Sequence, residues 1–284
     1  MSDVLYFNGR FTTTAERVLG VEDRGFQFGD AVYEVFKFLG KRPIFLRQHF
    51  RRMERGLQRI EIPLPWDEPS FGKTVRELLD RTAFDDGIVY VQVTRGEAER
   101  AHFWPEGMTP TAIAYSRAFK FPDAAKKERG IRVITTPDRR WHFCSVKSTN
   151  LLANVMAKKQ AQRAAADEAI FLGDDGTVRE GASSSFFAVK NGRVVTHTLE
   201  DCILPGVVRD TVISLALSAK LPVDERPLRE AELFDLDEAF ITSTTQGVMP
   251  ISELDGRIIG NSRRGEITTR LQELFDRKER STSS

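Results

Sequence analysis

Two Asn-Gly dipeptides, Asn8-Gly9 and Asn191-Gly192, each stand between runs of β-branched or aromatic residues. Asn-Gly suits the two positive-φ positions of a type I′ turn, so each predicts an antiparallel hairpin and excludes an all-helical chain. Elsewhere the hydrophobic period switches repeatedly. Ala31 to Leu39 alternates and ends at Gly40, which predicts a strand, with Pro43 to Leu46 as its hairpin partner. From Arg47 to Ile60 the spacing turns helical, with Phe50, Met53, Leu57 and Ile60 on one face, and Pro63 and Pro65 end it. A second helix takes Phe71, Val75, Leu78 and Leu79, with Asp67 or Ser70 as its cap. Ile88 to Thr94 and Thr111 to Tyr115 read as strands.

The stretch from Ala118 to Arg129 is polar and basic, which reads as a linker. The expected organisation is a small N-terminal α/β domain over 1–118, a linker over 119–124 and a larger C-terminal domain over 125–284. In the latter, strands are predicted at Ile131 to Thr135, Ala169 to Leu172, Ser184 to Lys190, Val194 to His197, Val223 to Arg226 and Glu238 to Thr242. Helices are predicted at Asn150 to Ala166, Val207 to Ala219 and Gly265 to Phe275, with a disordered tail from Ser281 to Ser284. Strands and helices mix without a strict βαβ rhythm, so the expected fold class is α+β.

A net charge of +1 supplies no electrostatic reason for nucleic acid, membrane surface or polyanion as a partner. Cys144 and Cys202 are too few for a disulfide framework, and with no secretory pattern at the N-terminus the expected setting is the cytoplasm. No apolar run approaches the roughly 20 residues of a membrane span. Four histidines without His-Glu-x-x-His, and no Gly-x-Ser-x-Gly, Walker or Gly-x-Gly-x-x-Gly pattern, leave the common metal, hydrolase and nucleotide signatures unmatched.

Four places carry candidate chemistry. Lys147 follows Trp141, Phe143 and Val146 and precedes a helix, where desolvation favours a neutral, nucleophilic amine; the alternative is a solvated strand-end lysine. Glu180, before Gly181, is a carboxylate suited to a pyridinium nitrogen, or simply an exposed turn residue. Gly206 stands just before a helix, so the N–H groups that follow are a ready phosphate site, or the Pro-Gly is only punctuation; Ser243, Thr244 and Thr245 add hydroxyls at a strand end. Arg100 and His102, one residue apart in an extended loop, point the same way and can clamp a carboxylate. The basic run His49-Phe50-Arg51-Arg52 reads as a solvated helix face with one arginine turned inward.

Taken in order, the motifs Asp23-Arg24-Gly25-Phe26-Gln27-Phe28-Gly29-Asp30-Ala31-Val32-Tyr33-Glu34-Val35, His49-x-x-Arg52, Lys147-Ser148-Thr149-Asn150-Leu151, Glu180-Gly181-x-Ser183-Ser184 and Leu204-x-Gly206-x-x-Arg209-Asp210 resemble the fold-type IV pyridoxal-phosphate aminotransferases over nearly the whole chain. Within that family the likeness is to the D-amino acid aminotransferases, through Tyr33 and the Arg100-Ala101-His102 loop. The resemblance implies a two-domain α+β fold with pyridoxal 5'-phosphate between the domains, and transfer of an amino group between D-amino acids and 2-oxo acids in a homodimer. It implies that Lys147 bonds the cofactor and moves the substrate α-proton, that Glu180 pairs with the pyridine nitrogen, and that Leu204 backs the ring. Arg52, the backbone of Val207 and Val208, and the Thr244 hydroxyl would hold the phosphate, with Ser243 nearby. Tyr33, Arg100 and His102 would trap the substrate carboxylate, the last two from the partner subunit. Val208 and Ser185 stand where the family often has threonine and asparagine, so Val208 offers only its N–H. A branched-chain L-aminotransferase, an (R)-amine transaminase and an aminodeoxychorismate lyase are the other readings within the family.

Overall fold

The computed structural model describes residues 4–282. Their contacts gather them into two compact units, one of the chain up to Lys120 together with Val146–Asn150, the other of Phe121–Ser145 and Leu151–Arg280. The fold class is α+β.

The first unit opens with the hairpin β1 (Val4–Phe7) and β2 (Arg10–Thr13), whose turn places Asn8 at φ 42° and Gly9 at φ 89°, as the dipeptide predicts. A short helix α1 (Arg24–Phe28) follows, opened by Asp23, whose carboxylate accepts from the Gly25 N–H. Gly29 closes it at φ 67°; a Cβ there would also stand 2.3 Å from Asn150 Oδ1, so glycine is required twice over. Next come β3 (Ala31–Leu39), β4 (Arg42–Pro43), α2 (Leu46–Arg59), α3 (Glu68–Asp80), β5 (Gly87–Thr94) and β6 (Thr111–Ala118). Asp67 is the α3 cap, accepting from the Ser70 N–H at 2.8 Å. Among the described residues the strands form one antiparallel sheet in the order β2-β1-β6-β5-β3-β4.

The pleat of β3 sorts its residues between two environments. Val32, Phe36 and Phe38 are fully buried against Phe50, Met53 and Leu57 of α2 and Phe71 of α3, while Tyr33, Val35 and Lys37 on the other face are half-buried. Because β4 pairs only with Phe38 and Leu39, the start of β3 has an open edge on that side. Val146–Asn150 fills it: Tyr33 N–H donates to the Lys147 carbonyl at 2.9 Å and Thr149 N–H donates to the Ala31 carbonyl at 3.2 Å. This pairing is why a segment numbered within the expected second domain clusters with the first unit.

In the second unit the basic stretch expected to be linker contains a helix, α4 (Ala124–Arg129), because Asp123 caps it by accepting from the Lys126 N–H. Then follow β7 (Ile131–Pro137), α5 (Leu152–Arg163), β8 (Glu168–Leu172), β9 (Thr177–Gly181), β10 (Ser185–Lys190), β11 (Arg193–Thr196) and α6 (Val207–Ser218). The unit ends with β12 (Val223–Glu225), β13 (Leu228–Arg229), β14 (Glu238–Ser243), β15 (Gly247–Leu254), β16 (Arg257–Ile258) and α7 (Glu266–Thr282). Its sheet runs β12-β11-β10-β14-β15-β7-β8-β9-β13, with β16 on β15, and is mixed: β7 lies parallel to both β8 and β15.

Several elements depart from the expectations: the hairpin partner expected at Pro43 to Leu46 is the short β4, since Leu46 already begins α2, and α1 forms where no helix was expected. β9 forms where a turn glutamate was expected, and β15 forms although Pro250 interrupts its pattern, its register against β7 shifting between Ile251 and Glu253. The tail is also more ordered: Leu271, Phe275 and Glu279 repeat every four residues and carry α7 through Ser281 and Thr282, while Ser283 and Ser284 lie outside the described residues. No helix among the described residues is long and apolar enough to cross a membrane.

At the centre of the second unit the rings of Phe187 (β10) and Phe240 (β14) stack 4.8 Å apart, both without solvent exposure. Replacing Phe240 by alanine is expected to cost about 3–5 kcal/mol through lost burial and the cavity left behind. Urea unfolding of Phe240→Ala against the unaltered chain measures this; a loss below about 1 kcal/mol would mean that the site collapses and refills.

Candidate active site

Lys147 sits on the added edge segment beside the half-buried face of β3. Its Nζ donates to the Tyr33 hydroxyl at 3.2 Å and lies 4.3 Å from the Tyr33 ring centroid. Tyr33 stacks on Tyr90, and Tyr90 on Tyr115, with centroids 5.6 and 5.2 Å apart, so a ladder of rings from three strands supports the lysine's partner. The Tyr90 hydroxyl donates to Gln92 Oε1 at 2.7 Å, and burial pushes its phenol above the ordinary value, so it remains a neutral donor.

One residue on from Tyr33, the pleat turns Glu34 to the opposite face, where it is wholly buried beneath α2. His49 and Arg52 lie three residues apart on α2, hence on one helix face, and both reach this carboxylate. Arg52 Nε and Nη2 donate to its two oxygens at 2.7 and 2.9 Å, and His49 Nδ1 donates at 2.7 Å. Burial alone would raise the carboxyl; the Arg52 charge and the hydrogen bonds from Arg52 and His49 overcome it and hold Glu34 at about 2. Burial pushes His49 the other way, below its ordinary value, so it is a neutral donor. Arg52 is thus the arginine turned inward from the basic run, while Arg51 and Arg55 stay exposed.

Arg100 and His102 are exposed, in the loop between β5 and β6. Both lie against one ring, that of Phe28: the Arg100 guanidinium carbon is 4.6 Å from its centroid and the His102 ring 5.8 Å. The loop leaves β5 through Gly96, where φ is 100° and a Cβ would stand 2.1 Å from the Thr109 carbonyl oxygen.

In the second unit, Glu180 points inward from β9 and is 4 % exposed. Its Oε1 accepts from Arg140 Nη1 at 2.6 Å, and the Leu204 N–H lies 3.1 and 3.2 Å from its two oxygens. Burial pushes this carboxyl above its ordinary value, while Arg140 and the Leu204 N–H pull it back. Arg140 itself is held by both oxygens of Asp138, at 3.0 and 2.8 Å, and lies 4.4 Å over the Phe171 ring. Val207 and Val208 are the first two residues of α6, and Gly206 makes no side-chain cap, so the first-turn N–H groups are not taken up by a capping side chain. Ser243 and Thr244 lie at the tip of the β14–β15 hairpin, where Ser243 Oγ accepts from the Gln246 N–H at 3.2 Å. Just before them the Thr242 hydroxyl is buried without a hydrogen-bond partner.

The residues that sequence reasoning passed over are those which hold others. Arg140 lies in a loop with nothing to mark it, and its partner is 40 positions away. Glu34 was legible only as one residue of a strand; a charge at an inward position of an alternating pattern is the signal that could have drawn attention to it.

The chain belongs to the class IV aminotransferases: the family description "Amino-transferase class IV" matches residues 31–254. It is 39% identical over 266 residues to a D-alanine aminotransferase of Bacillus licheniformis, covering 94% of this chain and 93% of that protein. It is 34% identical over 281 residues to the D-alanine aminotransferase of Staphylococcus haemolyticus, covering 99% of each. Among solved structures, a branched-chain aminotransferase of Thermoproteus uzoniensis with norvaline superposes with a TM-score of 0.90 at 28% identity, covering 98% of this chain and 94% of that one.

The Glu34 cluster generates a pH prediction. Glu34 has a folded pKa of about 2, below its ordinary 4.5, so its stabilisation is complete above 4.5 and is lost as pH falls through about 2. Glu34→Gln, which leaves Arg52 buried without its counter-charge, is expected to cost about 3–5 kcal/mol at neutral pH. It should also flatten the acid limb of stability, as urea midpoints between neutral and acid pH will read.

Proposed function

We propose that this chain is a pyridoxal 5'-phosphate-dependent transaminase that moves an amino group between D-amino acids, such as D-alanine and D-glutamate, and 2-oxo acids, such as 2-oxoglutarate and pyruvate. The observation that carries the transaminase reading is the side-chain amine of Lys147, held on the Tyr33 hydroxyl by a segment paired along β3. The choice of D-amino acids is supported by relatives named D-alanine aminotransferase that match over 94% and 99% of the chain.

The residues present suit that cofactor by their chemistry. Lys147 supplies the amine that bonds it. Glu180 presents a buried carboxylate for a ring nitrogen, and Leu204 lies against that carboxylate through its N–H. The helix start at Val207 and Val208 offers N–H groups and the positive end of the α6 dipole to a phosphate. The Thr242 hydroxyl is buried without a partner just before Ser243 and Thr244, and the Thr244 hydroxyl would donate to the phosphate. Arg52 adds positive charge, its guanidinium plane set by Glu34.

When bound, the cofactor supplies an electron sink that makes the substrate α-proton acidic. The chain's own residues do the rest. Lys147 Nζ takes the α-proton and returns it, with the Tyr33 hydroxyl directing the amine. Arg140 keeps a compensating charge on Glu180 in a site where burial alone would neutralise it. Tyr33, Arg100 and His102 receive the substrate carboxylate, the latter two serving the other subunit of a homodimer that works in the cytoplasm.

A visible absorption spectrum of the holoenzyme tests the reading. Its cofactor band should bleach with D-alanine and return with 2-oxoglutarate; bleaching by L-leucine alone would transfer the assignment to the branched-chain L-aminotransferases. The carboxylate role is tested by Arg100→Ala, which removes a charge-assisted contact of about 1.5–3 kcal/mol and should raise KM for both substrates about 10- to 150-fold. Unchanged KM values would remove Arg100 from the site.

A further inference from the structure

Arg24 stands in the first turn of the five-residue helix α1, yet it is only 3 % exposed. Its guanidinium is spent on the loop that carries Arg100 and His102. Nη1 donates to the Ala101 carbonyl at 2.7 Å and to the Phe103 carbonyl at 3.4 Å, and Nη2 donates to the His102 carbonyl at 3.4 Å. Three consecutive carbonyls of an exposed loop are therefore gathered by one buried side chain. The same guanidinium lies 4.7 Å from the Phe28 ring centroid, and Phe28 is the ring on which Arg100 and His102 also rest.

Asp30 fastens this assembly. It accepts from Arg24 Nε at 3.0 Å and from Arg95 Nε and Nη2 at 2.8 and 3.0 Å. Arg95 in turn donates to the Ile60 and Glu61 carbonyls at 2.6 and 2.8 Å and lies 3.9 Å from the Trp104 ring centroid. The outgoing base of the loop and its far side are thus tied to one carboxylate. A loop with no hydrogen-bonded structure of its own would lose conformational freedom each time its side chains closed on a ligand; one anchored beforehand has lost that freedom already.

We propose that Arg24 and Phe28 are positioning residues that set carboxylate affinity by holding Arg100 and His102 in their binding arrangement before substrate arrives. The inference rests on the reading of Arg100 and His102 as the carboxylate trap. In this proposal Arg24 and Phe28 act through the loop rather than on the substrate.

The test is a set of double-mutant cycles on the holoenzyme, reading kcat, the KM for D-alanine and for 2-oxoglutarate, and the inhibition constant of propionate, a simple monocarboxylate. Arg24→Lys keeps a positive charge for Asp30 but loses the fork that reaches three carbonyls. It should raise both KM values and the propionate constant by about 3- to 10-fold, the cost of ordering one or two side chains on binding, with a smaller change in kcat. In an Arg100→Ala background the same change should add much less, because the charged one of the two groups it positions is gone. A full multiplicative effect in that background, or unchanged KM values in the single variant, would overturn the proposal while leaving the carboxylate trap intact. An Arg100→Ala variant with unaltered KM values would overturn the trap itself, and this inference with it. If Arg24→Lys does not fold, Phe28→Leu carries the test alone, with the same rise in KM and the same lack of additivity expected.

Discussion

A carboxylate buried on one face of a strand fixes much of the first unit. Glu34 costs several kcal/mol to bury as an anion, and it is tolerable only because a bidentate guanidinium and an imidazole N–H meet it from a single face of α2. That cluster ties the strand to the helix in one register. Since neighbouring residues of a strand face opposite ways, it also decides where Tyr33 points, and Tyr33 receives Lys147 on the other side of the sheet. The Lys147 amine and the Glu34 ion pair are therefore positioned by neighbouring residues of one strand and coupled by its pleat.

Two of the buried carboxylates, Glu34 and Glu180, end up shifted in opposite directions although burial pushes both upward, and the difference lies in how their cations are shared. Glu34 has Arg52 on both oxygens and His49 beside it, so attraction outweighs desolvation and the group sits well below its ordinary value. Glu180 has one contact from an arginine whose other donors are largely given to Asp138, so attraction does not outweigh desolvation and its value rises. A firmly ionised group suits an anchor. A carboxylate whose charge depends on what lies next to it suits partnership with a protonated ring nitrogen.

The residues proposed to recognise substrate illustrate a second economy. Arg100 and His102 stand on an exposed loop, where side chains are easily presented and poorly fixed. Buried Arg24, the Phe28 ring and the shared carboxylate of Asp30 give that loop the rigidity that its own backbone lacks. Exposed side chains are here held in place by charged groups beneath them.

The sequence by itself determined the local elements and the class of fold. Asn8-Gly9 demanded a positive-φ turn, Phe50, Met53 and Leu57 marked the buried face of α2, and Asp67 or Ser70 marked the start of α3; each is a short-range preference readable from spacing. Lys147, Glu180 and the α6 start were legible as candidates, because their motifs come in the family's order. Only the tertiary structure decided which residues hold the others. The pairing of 146–150 with β3 depends on an edge left open because β4 is short, and β15 survives Pro250 because strands on both sides hold it. Arg140 meets Glu180, and Arg24 meets the loop at Ala101, across 40 and 77 positions of chain. Such contacts leave no period in the sequence, since charged groups find partners by the folded path of the backbone rather than by their spacing along it.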